Sequence, residues 1–425
     1  MTRKTASKKS PITKVASRKS AAKAAPTSSG LPIEIDARAL PPLGMTPQRF
    51  LRDYWQKRPL LIRNAFPDFE TPVQPEDLAG LACEETALSR IVMHDRANDR
   101  WTLRHGPFEE DEFPGMPHQD WTLLVQDVDK WDADVAALLE HFRFLPRWRI
   151  DDVMISFAAP GGSVGAHVDQ YDVFLLQAYG HRRWQIDAGA NPPLDFRPDV
   201  ELKLLREFTA THDWVLGPGD MLYLPPGVPH NGVAEDACLT FSVGMRAPSA
   251  AELLGDFVDT LAADADDALR YTDPDLAPAA DPNEIDVAAM NRAVEALNLL
   301  RMNDPDRLGD WFGRFITVYR AAGEVHGGET RSRIEIEWDL EHGAALHRHP
   351  WSRMAWRRAH RKGEPARLYV SGQDYPLPAE DAALIADAAQ LDGAAYAALS
   401  DAGRDLVQGL VRSGHYALAV PDEEE

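Results

Sequence analysis

GAHVDQYDVFLLQAYGHRRWQI, residues 165–186, sets an imidazole and a carboxylate two positions apart ahead of an apolar run, then opens the next run with arginine. On extended chain, residues two apart share a face, so His167 and Asp169 can reach one ion together. The remainder of the stretch reads as two strands joined by a turn at Tyr179-Gly180-His181. In the second strand Arg182, Trp184 and Ile186 fall on the inward face, Arg183 and Gln185 on the outward one. A cation among core residues is costly unless paired. The position of Arg182 therefore calls for an anion, and the planar guanidinium fork suits a carboxylate.

The same pattern extends on both sides. VMISFAA (153–159), WVLGPGDMLYLPPG (214–227) and CLTFSVGM (238–245) are short apolar runs punctuated by glycine and proline. Their spacing predicts an antiparallel sandwich or barrel rather than βαβ units. PPGVPHNG (225–232) is a rigid loop that presents His230. Two imidazoles and one carboxylate occupy one triangular face of an ion and leave the other open, the arrangement of a non-haem Fe(II) site. The open positions accept O2 and a bidentate cosubstrate. A keto-diacid that chelates with one end and reaches Arg182 with the other satisfies both halves, which fits 2-oxoglutarate. Ser242, in TFSVGM, can add a hydroxyl to the same far carboxylate.

With these residues in place, the chain resembles the JmjC-type, cupin-like ribosomal oxygenases, their bacterial branch in particular. The resemblance rests on YWQKRPLLIR, DDVMISFAAPGGSVGAHVDQYDVFLLQAYGHRRWQI, PGDMLYLPPGVPHNG and SVGMRAP, and spans about residues 45–250. It implies a mainly β chain with helical additions around a double-stranded β-helix core. It also implies His167, Asp169 and His230 as Fe(II) ligands and Arg182 as the anchor for 2-oxoglutarate. The reaction it implies consumes O2 and 2-oxoglutarate, releases succinate and CO2, and hydroxylates position 3 of an arginine in large-subunit ribosomal protein L-sixteen. Tyr171, Asp172 and Tyr179 are candidates for holding that side chain. The wider family also offers histidine hydroxylation or lysyl demethylation of another basic protein, and a cupin that binds without catalysis is a further alternative. Two departures stand out: a basic N-terminal arm, and His181 where the family pattern has arginine.

Residues 1–30 hold eight basic side chains, no acidic one and no apolar stretch, so a disordered basic arm is expected rather than a secretory signal. Residues 31–247 are assigned to the catalytic domain. FLRDYWQKRPLLIR reads as a helix ending at Pro59 and then a short strand, with further helices near 76–89 and 131–142. A helical section, 248–323, opens on the capping-box pair Ser249 and Glu252. Its first stripe is Leu253, Leu254, Phe257, Val258 and Leu261; helices at 284–302 and 305–321 come next, with apolar stripes rich enough for a homodimer interface. Residues 324–425 are expected to form a winged-helix-like α+β module, with RIEIEWDL and ARLYVSG as strands and helices at 379–390 and 402–412.

The whole chain carries 45 basic and 67 acidic residues, and outside the arm 37 basic face the same 67, a charge near −30. Such a body repels nucleic acid as a whole and attracts a basic protein partner. A competing class is a winged-helix nucleic-acid-binding regulator. It would use HRHPWSRMAWRRAHRK (347–362), where Trp351 and Trp356 alternate with Arg348, Arg353, Arg357, Arg358, Arg361 and Lys362 on what reads as a solvated helix face. His342, His347, His349 and His360 lack the cysteine or carboxylate spacing of a second metal site. Two cysteines, Cys83 and Cys238, exclude a disulfide framework and fit a reducing compartment, the cytoplasm. No apolar run approaches the roughly 18 residues of a membrane span.

Overall fold

Strand alternation decides the architecture. In chain order the strands of the first part are β1 (Glu34–Asp36), β2 (Leu60–Arg63), β3 (Ser89–Asp95), β4 (Arg100–His105), β5 (Trp121–Val125) and β6 (Ile150–Ala158). They continue as β7 (Val173–Tyr179), β8 (Arg182–Ile186), β9 (His212–Leu216), β10 (Met221–Leu224), β11 (His230–Ala234) and β12 (Cys238–Met245). The structure, a computed structural model, describes residues 30–419 apart from Ala280, Arg301, Asn303 and Ala321. The expected basic arm lies, but for Gly30, outside the described residues.

Nine strands form one sheet in the order β1-β2-β10-β7-β12-β6-β5-β3-β4, and β11-β8-β9 form a second. A bridge between His167 and His230 adds residue 167 to the small sheet beside β11. From β6 onward the chain passes back and forth between the two sheets, which is the expected double-stranded β-helix. The period-2 rule then sorts every side chain. On β7, Phe174, Leu176 and Ala178 pack into a core on the outer face of the large sheet, with Phe50, Tyr54 and Tyr223. Val173 and Leu175 point the other way, into a smaller core between the sheets with Trp184, Ile186, Leu216 and Leu222. β8 behaves as its sequence requires. Arg182, Trp184 and Ile186 are buried, and Arg183 and Gln185 face out to Asp213 at 2.8 and 2.9 Å.

The strand-rich stretch β3–β5, between residues 89 and 125, is not legible in the sequence. β3 (SRIVMHD) and β4 (RWTLRH) carry charge at both ends, which masks their alternation, yet they extend the large sheet beyond β5. The expected helix at 76–89 stops at Leu81, and β3 starts where that helix was to end.

In the helical section, Ser249 accepts from the Glu252 N–H and opens Ala250–Ala263; Val287–Asn298 and Pro305–Thr317 come after it. Phe257, Leu261 and Trp311 make a small core. Beyond them lies a second sizeable core built around Ile336, Leu346, Leu368, Ile385, Val407 and Tyr416. Here one expectation fails: RIEIEWDL is not a strand but the helix Arg333–Glu341. Ser332 and Glu335 form a capping box at its start, and Arg333 pairs with Glu337 at 3.0 Å one turn on. Those local helix signals outweigh the accidental alternation of isoleucine and glutamate. Nor is 347–362 a solvated helix face. It contributes to strands Ala345–Arg348 and Met354–Arg357, Arg348 donates to the Ala386 carbonyl, and Arg353 and Arg357 pair with Asp151 and Asp310. Much of its positive charge is thus neutralised within the molecule. Among the described residues no helix is long and apolar enough to cross a membrane.

Candidate metal centre and its cavity

Gly165, at φ +82°, turns the chain into the edge of the small sheet. The backbones of His167 and His230 exchange both of their hydrogen bonds at 3.0 Å. That pairing brings the two rings to 4.2 Å between centroids. Asp169, two residues on, projects to the same side: its carboxylate lies 4.0 Å from His167 Nε2 and 3.5 Å from His230 Nε2. All three ligand atoms lie within 4.8 Å of one another, the one such group of histidine, cysteine and carboxylate residues among the described residues. The histidines at 342, 347, 349 and 360 do not gather.

Backbone carbonyls fix the imidazole tautomers. His167 Nδ1 meets the Gly165 carbonyl at 2.8 Å and His230 Nδ1 meets that of Val228 at 2.9 Å. A carbonyl only accepts, so each Nδ1 carries a proton, and in the neutral ring the lone pair then sits on Nε2, towards the shared point. Burial, and then the neighbouring His167, hold His230 well below the ordinary imidazole value. It is therefore neutral near pH 7.

The triad opens into a cavity of about 360 Å³ between the two sheets, within the range of small-molecule sites, roughly 300–1,000 Å³. The large sheet lines it with the residues its register turns inward: Asp152, Met154 and Ser156 of β6, then Thr240, Ser242 and Gly244 of β12. Arg182 enters from β8 and is 2% exposed. It donates to Ser156 Oγ and the Gly232 carbonyl at 3.3 Å and to Thr240 Oγ1 at 3.5 Å, all long, and its face lies over Trp184. Gly232 is required here, because a Cβ would stand 2.8 Å from Arg182 Nε and 2.7 Å from the Trp184 ring. Among the described residues no carboxylate pairs with Arg182, and its Nε has no hydrogen-bond partner; burial lowers its pKa. Trp184 Nε1 and Thr122 Oγ1, on the same cavity, are likewise buried without partners. A buried cation without a countercharge, beside two unused polar groups, is an arrangement that an anion would complete.

The residues expected to hold a substrate side chain separate. Tyr171 lines the cavity and is 40% exposed, as at a mouth. Asp172 does not line it: fully buried, it accepts from Tyr223 Oη at 2.7 Å and Gln56 Nε2 at 2.9 Å and pairs with Arg149. Tyr179 sits at the far end of β7, 47% exposed, and is also outside the lining. Parity turns Asp172 opposite to Tyr171 and Val173, whereas Tyr179 shares their parity and is removed by its place at the distant end of the strand. Ser242 lines the cavity, but the hydroxyls on Arg182 are those of Ser156 and Thr240.

Other lining residues escape a reading of the sequence. Asp152, in DDVMISFA, is two positions before Met154 and shares its face, so alternation could have found it. Oδ2 of Asp152 accepts from the Asp127 N–H at 3.2 Å and from Arg320 at 3.1 Å. Burial first, then the Asp127 charge, raises its pKa to about 7. Arg90 and Thr122 come from β3 and β5, the strands the sequence conceals. Arg90 is held below the usual guanidinium range by burial, with Met154 Sδ at 3.8 Å as its contact.

Comparison with known proteins gives a consistent picture. Residues 137–253 match the JmjC domain family, and residues 300–417 match the ROXA-like winged helix. The ribosomal protein uL16 3-hydroxylase of Escherichia coli is 42% identical over 271 residues, 64% of this chain and 71% of that protein. An X-ray structure of E. coli YcfD superposes with a TM-score of 0.80 at 35% identity, covering 88% of this chain and 98% of that one. A second structure, the ribosomal oxygenase YcfD in complex with cobalt and 2-oxoglutarate, superposes at 0.76 with 35% identity over the same shares.

Proposed function

This chain belongs to the JmjC-domain ribosomal oxygenases, and we propose that it is an Fe(II)- and 2-oxoglutarate-dependent hydroxylase of an arginine in ribosomal protein uL16, working in the cytoplasm. The observation that carries the reading is Arg182, a buried guanidinium without a carboxylate, facing the same cavity as the His167, Asp169 and His230 triad. The donor set fits the ion, because two neutral imidazoles and one carboxylate suit ferrous iron and leave coordination positions free. When bound, iron supplies the activation of O2 that a C–H oxidation needs. The protein does the rest. Arg182 receives the far carboxylate of 2-oxoglutarate, and Ser156 and Thr240 keep its fork aimed into the cavity. Thr122 and Trp184 gain the hydrogen-bond partners they lack. The apolar walls, Val173, Leu175 and Met154, keep water from the reacting atoms.

Asp152 is our candidate for the substrate cation. Its carboxylate belongs to the wall that also carries Met154, with Tyr171 at the mouth, a surface on which an arginine stem and head can both rest. This preference for a cation favours arginine over a neutral histidine. Succinate release should therefore be stimulated most by an arginine-containing uL16 peptide, and far less by a histidine peptide; equal stimulation by a histidine peptide would favour the alternative. Because Asp152 titrates near pH 7, it is protonated below that value and cannot pair with the guanidinium. The expected outcome is that kcat/KM for the peptide rises with pH through about 7, and that Asp152→Asn removes this limb and raises the peptide KM. A flat profile in the parent protein would remove Asp152 from the role.

A homodimer through the helical section is part of the proposal. Val287, Met290, Val294 and Leu297 form one stripe on Val287–Asn298 and are 53–78% exposed, and that helix buries no residue of its own. A second copy would cover the stripe. Light scattering should report a dimer, and the double variant Met290→Glu, Val294→Glu should convert it to monomer. A parent protein that is monomeric at micromolar concentration would contradict this.

A further inference from the structure

The wall that holds Asp152 is not made by the catalytic sheet alone. Just after Pro305–Thr317, Tyr319, 4% exposed, and Arg320 lie against the start of β6 and the residues before it. The Arg320 guanidinium is shared by three carboxylates. It donates to Asp127 at 2.6 and 3.1 Å, to Asp152 Oδ2 at 3.1 Å and to Asp151 at 3.4 Å. Tyr319 Oη bonds to Asp127, whose backbone is left-handed at φ +60° and whose N–H donates to Asp152. Arg353, from the C-terminal module, pairs with Asp151 at 2.9 Å and stacks on the Tyr319 ring, with Arg320 also against that ring. One oxygen of Asp152 is thereby pinned from behind. The other, Oδ1, lies beside Gly244 on the cavity side, where a Cβ would stand 3.3 Å from it.

We propose that Arg320 is a positioning residue for substrate: it fixes Asp152 with Oδ1 turned to the cavity, so the junction with the C-terminal module forms the rear half of the cation-recognition site. The inference rests on Asp152 receiving the substrate guanidinium. A two-point hold on Oδ2, by a backbone N–H and a guanidinium, leaves the carboxylate little rotational freedom. It also opposes the charges that disfavour ionisation. The charged and titratable groups around Asp152 are Asp151, its neighbour along the strand, Asp127 and Asp129 from before β6, Arg320 and Tyr319 from the segment after Pro305–Thr317, Arg90 from β3 and Tyr171 from the mouth. Burial and the three aspartates raise its pKa; Arg320 lowers it. Removing Arg320 thus loosens the carboxylate and favours its neutral form, both of which weaken cation binding.

The test compares Arg320→Gln, Arg320→Lys and Asp152→Asn in the full-length, metal-loaded protein with an arginine-containing uL16 peptide. Losing a charge-assisted bond of this kind corresponds to roughly tenfold or more. Arg320→Gln should raise peptide KM by about that factor and move the acid limb of kcat/KM to higher pH. The KM for 2-oxoglutarate and the peptide-independent release of succinate should stay at parent values. Arg320→Lys keeps the charge without the fork, so its limb should stay near the parent pH while KM still rises several-fold; this variant decides if the glutamine does not fold. Unchanged peptide KM and limb would overturn the proposal, as would an equal fall in peptide-dependent and peptide-independent turnover, which marks a structural role alone. If Asp152→Asn leaves peptide KM unchanged, Asp152 is not the acceptor and both claims fall. If Asp152→Asn raises KM and neither Arg320 variant does, only the positioning claim falls.

Discussion

Arg182→Met is expected to weaken 2-oxoglutarate binding by roughly two orders of magnitude, the equivalent of about 3 kcal/mol, while making the cosubstrate-free protein more stable. The two effects have one cause. Arg182 is buried without a countercharge, its three hydrogen bonds are long and its Nε has no partner. In the absence of an anion this is a desolvated, poorly satisfied cation. Replacing even a paired buried charge, together with its partner, by apolar side chains of similar volume is often neutral or stabilising by about 1–4 kcal/mol, and an unpaired one has less attraction to lose. In the presence of 2-oxoglutarate the sign reverses, because the carboxylate completes the pair. Thermal melts with and without 2-oxoglutarate read both halves: the parent should gain stability with cosubstrate and the variant should not. A variant that melts lower than the parent in the absence of cosubstrate, and still gains stability from it, would show that Arg182 is satisfied within the protein.

Asp169→Asn is expected to reduce metal affinity by more than the roughly 10–100-fold that loss of an outer-sphere partner produces, and to reduce turnover to background. Asparagine keeps the shape and removes the charge, so the fold should persist. Asp169 is the one carboxylate of the triad, and it lies within 4.0 Å of both Nε2 atoms. The imidazoles alone, held by the Gly165 and Val228 carbonyls, bring no negative charge to offset that of a divalent ion. Calorimetric titration with Co(II) or Mn(II) under anaerobic conditions checks this. Near-parent affinity in the variant would mean that the ion does not sit on this triad.

The centre of the molecule is legible in the sequence because its period is intact. In RRWQI a strict alternation places Arg182 beside Trp184 and Ile186, and the structure buries those three. HVD and PPGVPH carry His167 and His230, whose backbones pair directly. Legibility fails where two signals compete. In SRIVMHD and RWTLRH, charged residues at strand ends hide β3 and β4, and with them Arg90. In RIEIEWDL, alternation suggests a strand, but the Ser332–Glu335 capping box and the Arg333–Glu337 pair make a helix. Tyr171, Asp172 and Tyr179 are close in sequence but not in role; parity along the strand puts Tyr171 on the cavity, and Asp172 into a hydrogen-bonded core with Tyr223. The link from Arg320 to Asp152 spans most of the distance between two domains in sequence, and no local pattern encodes it.

The most direct test of the oxygenase reading is tandem mass spectrometry of uL16 after incubation with the protein, Fe(II), 2-oxoglutarate and O2, alongside the Arg182→Met variant. The expected result is the gain of one oxygen atom on a single arginine, with one succinate released per oxygen inserted, and no gain with the variant at the same cosubstrate concentration. An unmodified uL16 in the presence of active, metal-loaded protein, or oxygen inserted equally well by the variant, would contradict it.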